Sequence, residues 1–374
     1  MASSSLSEHD RSSSSSSRCI LFRDESRSVF LVDIPASLED AQHLPGRCAE
    51  TPPSQRRLLS VEPVSAPFLL PEPRNPQTNH HTPASQLADL MIEAAVRSAL
   101  DTLKQDYNAP FCLPRVTATP VSGGDRRKSP HNHPATKDGA AEDAAAAYFI
   151  PEESAYLKGS IEETRGAFLS TAPAFDLIVL DPPWPNKSAR RKTGGYSTVH
   201  GLKETRRLLG QIPVAGHLAD NGLVAIWVTN KASLVDLLTS PQGVLAAWGL
   251  EVITEWYWIK ITSEGDPIFD TQSAWRKPWE RLIIARKRGQ TRVVPQKVIA
   301  AVPDEHSRKP NLRCLFEDLL PQGYRGLEVF ARNLTAGWWG WGDQVVHFQT
   351  PQHWVVPLAL QQEGPDSNKT DDTN

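Results

Sequence analysis

From Tyr148 onward, short apolar runs alternate with stretches of helical spacing. Phe175 to Leu180 (FDLIVL) is rich in branched side chains and reads as a buried parallel strand. Gly222 to Val228 (GLVAIWV), Leu250 to Ile261, Arg281 to Ala285 and Gly326 to Phe330 read as further strands. Between them, Leu202 to Leu209, Lys231 to Leu238 (resuming through Val244 to Trp248) and Leu312 to Leu319 have helical spacing. Val293 to Val302 reads as extended segments. Strands alternating with helices predict an α/β fold with a doubly wound sheet. Upstream, Ser28 to Ile34 (SVFLVDI) reads as a strand. Leu58 to Pro73 alternates apolar residues with prolines, as an extended segment lying on another surface would. Gln86 to Leu103 carries Leu87, Leu90, Met91, Ala94, Ala95, Leu100 and Leu103 at helical spacing, with Ser85 as its N-cap. Phe111 to Arg115 is expected to dock beside that helix.

The polar stretches divide the chain. Residues 1–18 form a serine-rich tail expected to be disordered. Residues 118–147, rich in Pro, Gly, Lys, Asp and Ala, read as a linker. This leaves residues 19–117 as an ordered extension or a loosely ordered arm, residues 148–350 as the main domain, and residues 351–374 as a tail. His131 and His133 fall in the linker, where solvation is the simpler reading than metal ligation.

The 374 residues carry a net charge of −3, which excludes a uniformly basic nucleic-acid coat. Any polyanion site must be a local patch. The four cysteines, Cys19, Cys48, Cys112 and Cys314, are far apart and lack metal-ligand spacing. They predict reduced thiols in an intracellular protein, with no metal site. No apolar run approaches membrane-spanning length, and the N-terminus lacks the apolar core of a secretory leader.

The chemistry-bearing candidate is the end of the FDLIVL strand. Asp181 stands at its carboxyl end, where open α/β sheets bind ligands. Pro182 and Pro183 have no N–H and hold the loop stiff, and Trp184 adds an indole face. A carboxylate, rigid carbonyls and an indole suit a planar amino group such as the exocyclic amine of adenine. Asp181 and the Pro182 carbonyl could each accept one N–H and aim the nitrogen lone pair at an electrophilic methyl group. Trp184 could stack on the base, worth roughly 1–3 kcal/mol. Alignment of two reactants is the larger lever, at about 7–11 kcal/mol of barrier. The plain alternative is a strand end with a Pro-Pro turn and a surface Trp.

Asp181-Pro182-Pro183-Trp184 is followed by Asn186-Lys187-Ser188, Trp227-Val228-Thr229-Asn230, Glu255 to Lys260 (EWYWIK) and Lys277-Pro278-Trp279-Glu280. Ser307-Arg308-Lys309-Pro310, Leu327 to Asn333 (LEVFARN) and Gly337 to Gln344 complete the series. In this order the pieces resemble the DPPW-type adenine-N6 methyltransferases, the family of the seventy-kilodalton mRNA adenosine methyltransferase subunit, and within it the methyltransferase-like protein four branch. The resemblance implies a Rossmann-like S-adenosylmethionine-dependent fold with permuted motif order plus an N-terminal extension. It implies S-adenosylmethionine as cofactor and Asp181, Pro182, Pro183 and Trp184 as the catalytic segment. Residue by residue, it implies that Lys309 and Arg332 engage the cofactor's carboxylate or ribose end, and that Asn333 and Gln344 bind its ribose. Ser160 and Ile161 would hold its adenine by their backbone, and Asp181 would also face its ammonium group. Glu280 would lie near the target base. Asp343 stands where some relatives have asparagine, which weakens the ribose assignment. Without the resemblance, Lys309 reads equally as a solvated turn lysine, Arg332 as a partner of Glu328 or Asp318, and Glu280 as a partner of Arg276 or Arg281.

Lys187, Arg190, Arg191, Lys192, Lys203, Arg206 and Arg207 make a basic stretch beside the proposed base pocket, with Tyr196 among them. With Asn186 these residues are candidate substrate contacts, Tyr196 by stacking and the cations by holding phosphates. Arg190-Arg191-Lys192 serves equally as a nuclear-import signal. Arg276, Lys277, Arg281, Arg286, Lys287 and Arg288 form a second candidate patch. Extruding a duplex-bound adenine costs a few kcal/mol. Unpaired RNA presents its bases openly, which favours RNA, a small nuclear RNA on the family's pattern. The expected protein is a nuclear, monomeric enzyme. DNA as substrate, or an RNA-binding scaffold without catalysis, are the alternatives.

Overall fold

The computed structural model describes residues 17–45, 56–69, 83–117, 148–185, 201–273 and 276–355. The N-terminal part contains β1 (Ile20–Arg23), β2 (Val29–Val32), α1 (Ile34–Asp40), β3 (Arg57–Ser60), α2 (Pro83–Asp106) and β4 (Val116–Thr117). Then come β5 (Ala155–Lys158), α3 (Ile161–Thr171), β6 (Phe175–Leu180), α4 (Leu202–Gly210), α5 (Val214–His217) and β7 (Leu218–Val228). The chain continues through α6 (Ala232–Thr239), α7 (Val244–Ala247), β8 (Leu250–Lys260), β9 (Trp279–Lys287) and β10 (Val298–Ala301). It closes with α8 (Arg313–Phe316), β11 (Gly326–Val329), β12 (Trp339–Gly342) and β13 (Trp354–Val355).

Ten strands make one sheet in the order β1-β2-β10-β8-β9-β7-β6-β11-β12-β5. The run β7-β6-β11-β12-β5 is parallel, β9 lies antiparallel between β7 and β8, and β10 runs parallel to β8 and β2. The continuous apolar character of the central strands follows from burial on both faces. Leu177 and Val179 of β6 join Leu223, Ala225 and Trp227 of β7 in one core. Ile178 and Leu180 join Val224, Ile226 and Val228 in the core on the opposite face.

The described residues of the 19–117 stretch pack into cores shared with the main sheet. β2 extends the main sheet beside β10. α2 lays Ile92, Val96, Ala99, Leu100 and Leu103 on Tyr257, Ile259, Val298 and Ala300 of β8 and β10. Each large side chain buried this way contributes about 1.5–3 kcal/mol. Asp33 caps α1 by accepting from Ala36 N–H at 2.9 Å, and also accepts from Leu113 N–H at 2.9 Å, which fixes the 111–115 segment. The expected tail after residue 350 starts inside an element, since β13 pairs with β3 and the buried Trp354 indole donates to the Phe348 carbonyl at 2.7 Å. Ser17 is likewise fixed, donating to Asp40 at 3.0 Å. The 118–147 linker, His131 and His133 lie outside the described residues, and the Ser85 side chain is not described.

Several elements differ from the sequence pattern. β5 (AYLK) is a half-buried edge strand, and β12 (WGWG) alternates glycine with tryptophan, so neither shows a branched apolar run. α3 buries Ile161 and Phe168, too few for a strong stripe. The helix expected over Leu312 to Leu319 shortens to α8, and the extended stretch from Val293 to Val302 becomes a strand at Val298–Ala301. Among the described residues, no helix is long and apolar enough to cross a membrane.

Candidate active site

The sheet directions bring the carboxyl ends of β5, β12, β11, β6, β7, β8 and β10 and the start of β9 to one edge. That edge carries Ser160 after β5, Gln344 after β12, Arg332 and Asn333 after β11, and Asp181 after β6. Asn230 follows β7, Lys260 ends β8, Glu280 sits at the start of β9, and Lys309 follows β10. β6 has neighbours β7 and β11, from widely separated parts of the chain, so Asp181 lies at a point where the chain changes direction across the sheet.

Asp181 is gripped by Lys309, whose Nζ donates to Oδ1 at 3.0 Å and Oδ2 at 2.8 Å. The same ammonium lies 3.5 Å from Glu280, and Lys260 donates to Glu280 Oε1 at 2.5 Å. The result is an alternating row, Asp181–Lys309–Glu280–Lys260, whose first three side chains are about one-fifth exposed (24%, 20% and 22%). Burial alone would raise the Glu280 carboxyl, but Lys309 and Lys260 outweigh it and bring it down to about 2. Burial would lower Lys309, but Asp181 and Glu280 hold it above its ordinary value. Behind the row, burial, then the negative charge of Asp181, pushes Glu328 of β11 up to about 8. Glu328 is therefore largely neutral at pH 7.

The loop after Asp181 is set by two hydrogen bonds. Trp184 N–H donates to the Pro182 carbonyl at 2.8 Å, and the Trp184 indole N–H donates to the Trp227 carbonyl at 2.9 Å. The Pro182 carbonyl therefore keeps one lone pair for another donor. Trp184 is half-buried and tethered to β7, so its ring plane is fixed before any ligand arrives.

Beside Pro183 opens a cleft lined by Ser160, Ile161, Leu208, Phe330, Arg332 and Gln344, with Gly342 and the exposed Asp343 at its wall. Ser160 opens α3 through a capping box: its Oγ accepts from Glu163 N–H at 3.2 Å while its own N–H donates to Glu163 at 3.2 Å. The Ser160 N–H is thus used internally. Phe330 takes a left-handed φ of 60° and turns the chain at the end of β11. Gly342 makes this possible, because a Cβ there would stand 3.2 Å from Phe330 Cα.

The cleft has chemistry suited to a nucleoside-like cofactor. Gln344 Oε1, at the cleft wall, and Asn333 Nδ2, next in sequence to the lining Arg332, are buried and have no hydrogen-bond partner among the described residues. Such atoms cost about 1–3 kcal/mol each when left unmatched. A ribose hydroxyl, both donor and acceptor, matches an amide N–H and an amide oxygen. Arg332 adds positive charge at the same wall. Among the described residues, no group of three or more His, Cys, Asp or Glu is placed to hold a metal ion.

Two sequence expectations change, and Lys309 has partners that the sequence did not indicate: it faces two carboxylates, Asp181 and Glu280. Glu280 pairs with Lys260 and Lys309, because its strand register brings it opposite Trp258 at the β8 terminus. The second basic patch dissolves. Arg281 and Arg286 lie about 17 Å apart along β9 at ~3.4 Å per residue. Arg281 meets Glu255 and Asp89, Lys277 donates to the Thr271 carbonyl, Arg286 pairs with Glu251, Lys287 with Asp220, and Arg288 donates to the Leu250 carbonyl. Asn186, Lys187, Arg190, Arg191 and Tyr196 lie outside the described residues, while Lys203, Arg206 and Arg207 are exposed on α4, whose Leu208 lines the cleft. Lys260, Asn230 and Phe330 carry no role in the sequence pattern, and Glu328 figures there only as a possible partner of Arg332. Lys260 closes the EWYWIK segment, and Asn230, which donates to the Trp279 carbonyl, closes WVTN, so the motif ends were the available signal.

The MT-A70 family model matches residues 175–344. The chain is 47% identical over 351 residues to the "N6-methyladenosine RNA methyltransferase MTA1" of Cryphonectria parasitica, covering 92% of this chain and 97% of that protein. It is 46% identical over 362 residues to the protein of the same name from Pyricularia oryzae, covering 90% and 96%. It is 34% identical over 222 residues to the "N(6)-adenine-specific methyltransferase METTL4" of Mus musculus, covering 56% and 45%.

Proposed function

The chain belongs to the MT-A70 family of S-adenosylmethionine-dependent methyltransferases, and on that premise we propose that it methylates the exocyclic amine of adenine in RNA. The observation that carries this reading is the Asp181–Trp184 segment with its fixed Trp184 ring, whose Pro183 lines a cleft shared with Arg332 and Gln344. The two MTA1 relatives, named as RNA enzymes, favour RNA over DNA.

S-adenosylmethionine, when bound, supplies an electrophilic methyl group on a sulfonium. Asn333 and Gln344 would hold its ribose, with Arg332 beside them, and the backbone at Ser160–Ile161 would border its adenine. Asp181 accepts one N–H of the target amine while Lys309, bonded to both of its oxygens, holds that carboxylate in place. The remaining lone pair of the Pro182 carbonyl accepts the second N–H. This pair of acceptors directs the nitrogen lone pair across the mouth of the cleft. The N–C bond would form as the methyl–sulfur bond breaks, its electron pair staying on sulfur, and the surplus proton of the amine would leave to solvent with Asp181 beside it as acceptor. Trp184, locked by Trp227, offers a ring face against which the base can stack. Preorganised alignment of this kind is the main source of rate.

The Arg190-Arg191-Lys192 run would direct the protein to the nucleus. The enzymatic reading is tested by incubating purified protein with S-adenosylmethionine and matched RNA and DNA oligonucleotides, then analysing nucleosides by mass spectrometry. N6-methyladenosine formed in RNA is the expected product. Methylation confined to DNA, or at another atom, overturns the reading.

A further inference from the structure

The N-terminal extension places an aromatic side chain near the active-site edge. Phe68 is 49% exposed, and its ring lies 5.5 Å from that of Phe269 at an interplanar angle of 34°. On Phe269 also rests the Arg276 guanidinium, 4.8 Å from the ring centroid. Phe269 is thus covered by Phe68 and Arg276, while Phe68 keeps half of its surface open.

The position of this stack is fixed by backbone bonds leading to the Asp181 row. Phe68 N–H donates to the Ile268 carbonyl at 2.9 Å, and Ile268 N–H donates to the Lys260 carbonyl at 3.0 Å. Lys260 reaches Glu280, which adjoins Lys309 and Asp181. Two strand spacings, about 10 Å, separate the Phe68 backbone from that of Lys260. A second backbone bond, from Ser263 N–H to the Val64 carbonyl at 2.8 Å, holds the arm in place.

We propose that Phe68, supported by Phe269 and Arg276, is a stacking platform for an unpaired RNA base flanking the target adenine. The proposal rests on the RNA reading above. A half-exposed phenyl ring backed by a guanidinium–aromatic pair matches a nucleobase, which every sequence can supply. The acid next to Phe269 in the chain argues for a base over a phosphate: Asp270 is engaged by the neutral Gln272 N–H at 2.9 Å and keeps its negative charge beside the platform. The role of the extension is then to supply part of the substrate rim, in addition to covering the sheet.

The test is steady-state methylation of a single-stranded RNA oligonucleotide by the full chain and by Phe68→Ala and Phe68→Trp. Phe68→Ala should raise KM for RNA about 5- to 100-fold. Its kcat, its Kd for S-adenosylmethionine and its melting temperature should stay unchanged, and Phe68→Trp should restore the KM. The KM ratio between variant and wild type should hold between 50 and 200 mM salt, because stacking releases no counterions (about one per phosphate contact otherwise). An unchanged KM in Phe68→Ala, no rescue by Phe68→Trp, or a ratio that vanishes at high salt overturns the platform. A wild-type chain that fails to methylate RNA at all removes the underlying RNA reading instead, which separates the two failures.

Discussion

Replacing Glu280 by Gln removes the central negative charge from the Asp181–Lys309–Glu280–Lys260 row while conserving shape. The Glu280 carboxyl sits 2.5 Å from Lys260 and 3.5 Å from Lys309. Its titration lies at about 2, against an ordinary 4.5. A displacement of that size corresponds to about 3 kcal/mol of native-state stability at neutral pH, at about 1.4 kcal/mol per pKa unit. The raised value of Lys309 describes the same attraction from its other side and is counted once. The sign follows from linkage. A carboxyl depressed in the folded state contributes fully above its unfolded value of 4.5, and the contribution fades as pH falls toward 2. Glu280→Gln should therefore unfold more easily than wild type by about 3 kcal/mol at pH 7. The gap should narrow by roughly 1–1.5 kcal/mol at pH 3.5. Urea unfolding of both proteins at a series of pH values between 7 and 3.5 measures this directly. A gap that stays constant with pH, or no gap at pH 7, would show that the ion pairs do not hold this edge together.

Other substitutions probe separate parts of the account. Glu328→Gln should stabilise the protein by about 1–3 kcal/mol at pH 7, because a carboxyl raised to about 8 loses stability as pH climbs above its unfolded 4.5; the gain should shrink toward pH 4.5 in thermal melts. Asn333→Ala and Gln344→Ala should each weaken S-adenosylmethionine binding by about 1–2 kcal/mol in calorimetry, with little change in melting temperature, because Asn333 Nδ2 and Gln344 Oε1 have no partner among the described residues to lose. Val96→Asp should cost more than about 3 kcal/mol and destabilise the whole sheet, since it places a charge between α2 and β10; independent melting of the extension would contradict the shared core.

Much of the sheet was legible in the sequence. β6 and β11 are apolar runs that are buried on both faces or nearly so, and periodicity finds such strands wherever they lie. β12 was not legible, because two of its four residues are glycines that admit close packing: a Cβ at Gly340 would stand 2.7 Å from Leu334 and Val345 side chains. The incorporation of β2 into the main sheet was hidden as well. Its partner β10 lies more than two hundred and fifty residues later, and no local pattern encodes such a pairing. At the site, Asp181 announced itself through Pro-Pro-Trp. Its bond to Lys309 did not, since the two come from strands that are separated by three others in the sheet. The dispersal of the second basic patch follows from the same cause. Arg281 and Arg286 are close in sequence but extended along a strand, where each finds a different acid.

The central claim is that the Asp181 carboxylate grips and aims the amine that receives the methyl group. Single-turnover methyl transfer to an RNA oligonucleotide by Asp181→Asn, with calorimetric binding of S-adenosylmethionine on the same preparation, tests it most directly. The account predicts a rate lower by about 10²–10⁴-fold with cofactor binding still measurable. Methyl transfer within a few-fold of wild type by a folded, cofactor-binding Asp181→Asn protein would contradict it.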